Sequence, residues 1–107
     1  MMKQTIICSA IWFDDGVDTY VHQPKNIETG FVICGRRHHN CFTTIAILMG
    51  LKKERSFKDD IQGFLTSDDL FVSREEAWII AEKAGQILEN PNRFTTGRLF
   101  SEDLYKL

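Results

Sequence analysis

The sequence predicts an α+β fold: an antiparallel β-sheet of five or six strands, two main helices and a short C-terminal helical turn. Three observations carry this expectation. Short β-branched and aromatic runs, separated by turn residues, fill the first third. Ser73-Arg74-Glu75-Glu76 reads as a capping box ahead of a helical repeat of small residues. Cys41 to Met49 is apolar almost all round and is followed by Gly50, a helix stop.

Thr5 to Phe13 is the first predicted strand, closed by the turn Asp14-Asp15-Gly16. Val17 to His22 alternates as the second arm of a hairpin, and Pro24 to Gly30 is a polar loop. Gly30 to Gly35 is a short apolar run bracketed by glycines, expected to be a central strand. Asn40 is placed to cap the Cys41–Met49 helix, whose apolar surface predicts burial on several sides. The stretch LKKERSFKDD is charged and solvated, and GFLTSDDLFV reads as two short arms around a Ser-Asp-Asp turn. After Ser73, the residues Ala77, Ile80, Ala81, Ala84 and Leu88 share one helical face. Small side chains there let the helix lie close to the sheet, and Asn90-Pro91-Asn92 closes it. Ser101 caps a last short turn.

The 107 residues are one domain's worth, and residues 1–107 read as a single ligand-binding domain. A composition 43% hydrophobic and 26% charged is that of a folded chain rather than a disordered one. The net charge of −2 supplies no general field for a DNA or RNA duplex or an anionic membrane. The apolar start is too short to span a bilayer and too β-rich for a signal peptide. Cys8, Cys34 and Cys41 are odd in number and irregularly spaced, and two lie within apolar runs. They read as reduced, mostly buried thiols of a cytoplasmic protein.

Any anion site must then be local, and Gly35-Arg36-Arg37-His38-His39-Asn40 is the densest cationic spot. Arginine offers a planar fork of donors that matches phosphate. The glycine permits close backbone approach, and a helix starting just after adds free N–H groups and a positive dipole end. A solvated basic turn paired to carboxylates explains the same residues equally well. Cys34, His38, His39 and Cys41 match no zinc spacing, so no metal is expected. No nucleotide-binding or hydrolase motif is present, no catalytic residue is assigned, and no cofactor is implied. Phe64, Phe71, Phe94 and Phe100 are rings on which a base can stack, although for any one of them core or oligomer interface is the better explanation.

The order GRRHH, then GFLTSDDLFVSREEAWIIAEKAGQI, then LFSEDLY resembles a family of small phage- and prophage-encoded proteins. The likeness spans Gly35 to Tyr105, and it lies in the order and spacing of pieces that are each unspecific. The family is similar to the Thoeris anti-defence sponges, which sequester cyclic ADP-ribose isomers without cleaving them. The resemblance implies a nucleotide-type ligand, a homo-oligomer (a dimer or dimer-based hexamer) and a bacterial host's cytoplasm. It implies binding roles for Arg36, Arg37, His38 and His39 at a pyrophosphate, with Arg74 and Arg98 as further cations. Phe64 and Phe71 are then candidate stacking rings, and Gln86, Asn92 and Ser101 candidate polar contacts. The long Asp18 to Gly30 stretch departs from the family pattern and leaves ligand preference open. Two other classes remain: a small nucleotide-acting enzyme using His38 or His39, and a protein-binding module with a basic turn.

Overall fold

The computed structural model describes residues 4–14, 16–18, 20–48, 62–88 and 97–104. The element order is β1 (Ile6–Phe13), β2 (Phe31–Gly35), α1 (His38–Leu48), β3 (Gln62–Thr66), β4 (Phe71–Ser73), α2 (Arg74–Lys83) and a 3-10 turn at Ser101–Asp103. The α+β class is as expected. The described sheet has four strands in the order β2-β1-β3-β4, not five or six, and every neighbouring pair is antiparallel.

The missing strand is the Val17–His22 arm. Its described residues form no strand, and β1 pairs directly with β2 instead. The physical reason is burial. Val17 and Val21 are 39% and 72% exposed, so this stretch has no apolar face to give to a sheet. His22 also adopts a left-handed φ of 62°, which breaks extended geometry.

Strand alternation assigns the two faces. Ser9 lies opposite Phe64, which lies opposite Val72, and Ile11 lies opposite Ile33. These residues share one face, and both helices pack there. Ile11, Cys41 and Ile45 form one cluster under α1, while Phe64, Val72, Ala77, Ala81, Ile6 and Leu99 form another under α2. A bulge between Ile6 and Cys8 turns Ile6 onto this helical face. The opposite face carries Trp12 and Phe71, 6.3 Å apart between ring centroids. The long β1–β2 connection is tied to that face. Trp12 Nε1 donates to the Thr29 carbonyl at 2.9 Å, and the Asn26 carboxamide bonds both backbone groups of Phe71 at 2.6 and 2.9 Å.

The predicted helices shift at their ends. Helix α1 starts at His38, not Cys41, so Asn40 sits inside the first turn and its Oδ1 accepts from Arg37 N at 3.0 Å. The helix is also not buried on several sides. His38, Cys41 and Ile45 are buried, whereas Thr43, Thr44 and Ile47 face outward. Helix α2 starts where the capping box predicts, with Glu76 N donating to Ser73 Oγ at 3.2 Å. The Glu76 carboxylate accepts from the Ser73 hydroxyl itself, while the Ser73 backbone lies in the sheet opposite Gly63. The helix ends at Lys83 rather than running on to Leu88. Gly85 takes φ 70°, and Gln86 N and Gly85 N close back on Ala81 O and Glu82 O. This is the Schellman arrangement that glycine permits. The Asn90-Pro91-Asn92 stop lies outside the described residues.

Candidate functional site

The basic turn leaves β2 at Gly35 and enters α1 at His38, with Arg36 and Arg37 between. Its backbone is fixed from several sides. Ser9 Oγ donates to Arg36 O at 3.1 Å, and Arg37 O receives Asn40 N at 3.0 Å and Cys41 N at 3.4 Å. Cys41 Sγ donates to Ser9 O and Arg37 O, binding strand and turn together. Arg36 and His39 project at the surface, and Arg37 is half-buried. The first turn of α1 contains no acidic residue, so the positive helix end is not offset from within.

His38 points the other way, inward against Gly63 and Phe64 of β3, and is 8% exposed. Its Nε2 lies 2.8 Å from Gly63 O, and a carbonyl can only accept, so Nε2 carries the hydrogen. The ring meets Phe64 edge-on at 5.0 Å. Burial drives the His38 pKa down to about 4, with the nearby Arg74 charge acting in the same direction. The Gly63 bond and Glu102 oppose that shift. His38 is therefore neutral near pH 7.

Arg74 is the other buried basic side chain, 8% exposed. Its guanidinium donates to Leu99 O at 2.9 Å and Gln62 Oε1 at 2.8 Å, and lies 4.6 Å over the Phe100 ring. Leu99 N donates in turn to Arg74 O at 2.9 Å. Arg74 thus pins the segment before the 3-10 turn against the start of α2.

The structure gathers His38, Phe64 and Arg74 under the helices, with Arg36, Arg37 and His39 on the adjoining surface. The other candidates lie elsewhere or are committed to the fold. Phe64 is fully buried, and Phe71 belongs to the opposite face under the β1–β2 connection. Gln86 bonds both backbone groups of Ile6 at 2.8 Å, filling the ladder beside the bulge. Arg98 pairs with Glu75 at 3.1 Å, both exposed. Ser101 is buried at the start of the 3-10 turn, and Asn92 lies outside the described residues. The set Cys34, His38, His39 and Cys41 does not converge. Cys34 lies opposite Ala10, on the face away from α1, while Cys41 is under the helix. Among the described residues no group of three or more His, Cys, Asp or Glu is placed to hold a metal ion.

Sequence reasoning missed Ser9 and Gln62 as neighbours of this region. Ser9 had a signal, since it is the lone hydroxyl in the run IICSAIWF. Gln62 had none, because only the strand register brings it near.

No curated protein and no solved structure matches the chain. A family model described as the phage T4 y16D protein matches residues 5–105, covering the whole sheet, both helices and the basic turn. The chain belongs to the phage T4 y16D protein family.

Proposed function

We propose that this phage-family protein binds a small phosphorylated ligand of the cyclic-nucleotide type, a cyclic ADP-ribose isomer in the first instance, and sequesters it without cleavage. The observation that supports this reading most is the basic turn. Arg36 and Arg37 are presented at the start of α1 from a backbone held by Ser9, Asn40 and Cys41, with no acidic residue in the first turn. A pre-fixed backbone lowers the ordering cost of binding an anion. The state of His38 favours a binder over an enzyme. A general base needs an accessible lone pair and a pKa near the working pH, and His38 is buried with its pKa near 4. In this reading the ligand is an immune signal of the infected bacterium, held in the host cytoplasm by a homo-oligomer.

The test is uptake followed by release. Protein is incubated with cyclic ADP-ribose isomers, separated, denatured, and the released material analysed. Intact ligand is expected. Altered ligand supports an enzyme instead, and no uptake supports a module that docks an acidic protein. Arg36→Ala is expected to weaken binding by about ten- to a hundred-fold, the loss of one charge-assisted contact of roughly 1.5–3 kcal/mol. Arg36→Lys recovers only part, because a point charge cannot match two oxygens. Calorimetric titration with a melting curve checks both. Normal binding by Arg36→Ala, or its unfolding, overturns the assignment of this turn.

A further inference from the structure

Cys8 and Cys34 take no part in the site described above. Cys34 lies directly opposite Ala10 across β1 and β2, and Cys8 is two residues from Ala10 along β1. The bulge falls before Cys8, so the two side chains share one face, diagonal to each other. No described helix packs on this face. Cys34 is exposed and Cys8 half-buried, and neither is in a disulfide. Cys41 stands apart, buried under α1, where desolvation pushes its thiol up to about 11.

Diagonal neighbours across a sheet have Cα atoms about 7–8 Å apart, beyond the roughly 4.4–6.8 Å that a relaxed disulfide accepts. A bridging cation spans more. It replaces one S–S bond of about 2.05 Å by two metal–sulfur bonds of about 2.3 Å each. Two thiolates cannot complete the four-ligand shell of zinc. They do complete the linear two-coordinate shell of a soft monovalent ion, and soft sulfur ligands select Cu(I) over hard cations.

We propose that Cys8 and Cys34 form a two-thiolate site for a soft monovalent cation of the Cu(I) type on the face of the sheet opposite α1 and α2. Binding exchanges protons for metal: two thiols and one Cu(I) give a bis-thiolate complex and two protons, with no change of oxidation state. The bound ion clamps β1 to β2 one residue before Gly35, where the basic turn begins.

The test is an anaerobic titration of the reduced protein with Cu(I) against bicinchoninate, a chromophoric chelator. Wild-type protein is expected to withdraw one Cu(I) per chain, with its mass by light scattering unchanged on loading. Cys34→Ser and Cys8→Ser are each expected to lose that step, and Cys41→Ala to keep it. Cys34 is exposed, so its serine variant folds normally by circular dichroism and decides the matter even if Cys8→Ser is unstable. The site is overturned if the wild type leaves all copper with the chelator, or if Cys34→Ser withdraws as much as the wild type. A doubling of mass on loading, with Cys8→Ser binding unimpaired, overturns it in favour of Cys34 bridging two chains.

Discussion

His38 shows how one residue in a cationic run takes a role unlike its neighbours. Arg36 and His39 stay at the surface, whereas His38 turns inward and gives its ring hydrogen to Gly63 O. That choice is linked to pH. The unfolded side chain titrates at 6.5 and the folded one near 4, so the folded state favours the neutral ring. Its contribution is fully present above about pH 6.5 and is lost as pH falls through 4. The total is on the order of 3 kcal/mol. Urea midpoints measured from pH 7 to pH 4 are expected to fall steeply for the wild type. They are expected to fall less for His38→Gln, which can still donate to Gly63 O but cannot ionise. Equal slopes in the two proteins sink the assignment.

At the scale of elements, β3 and β4 approach so closely that Gly63 has no room for a side chain. A Cβ there collides with Val72 O and meets Phe71 Cζ at 2.8 Å. Gly63→Ala is expected to cost about 1–3 kcal/mol, seen as a lower melting temperature, because the obstacle is backbone rather than a flexible side-chain end. Ser73→Ala removes the N-cap of α2 and is expected to cost about 1 kcal/mol. Asn26 acts as a short stand-in for a fifth strand, meeting both backbone groups of Phe71. Asn26→Ala is expected to destabilise by about 1–2 kcal/mol. It also bares the edge of β4, so concentration-dependent association by light scattering should rise. A variant as stable and as monodisperse as the wild type speaks against that role.

At the scale of the molecule, both helices cover one face of the sheet and the β1–β2 connection reaches across the other. Ile47 on α1 and Ile79 on α2 are nonetheless 72% and 55% exposed. Such residues motivate the proposed homo-oligomer. Size-exclusion chromatography with light scattering is expected to give a dimer or a higher dimer-based mass, and a clean monomer removes the proposal. Among the described residues no helix is long and apolar enough to cross a membrane.

The sequence by itself determined the elements whose signals are local. The capping box at Ser73 fixed the start of α2, the alanines Ala77 and Ala81 marked its buried face, and the β-branched run of β1 and the glycine-bracketed β2 were legible as strands. It also located the one dense basic turn. What it did not determine depends on partners distant along the chain. Val17 to His22 has enough local β character to read as a hairpin arm, but a strand needs an edge to pair with, and β2 took the edge of β1. Register alone decided that Cys34 faces away from α1, and with it the separation of Cys34 from Cys41. Only the docking of the segment at Leu99 to Asp103 committed Arg74 to backbone and amide oxygens. Only the tertiary contacts with Gly63 and Phe64 placed His38 inside, while Arg36 stayed at the surface. A residue's type sets which bonds it can make, and its surroundings in the fold decide which of them it makes.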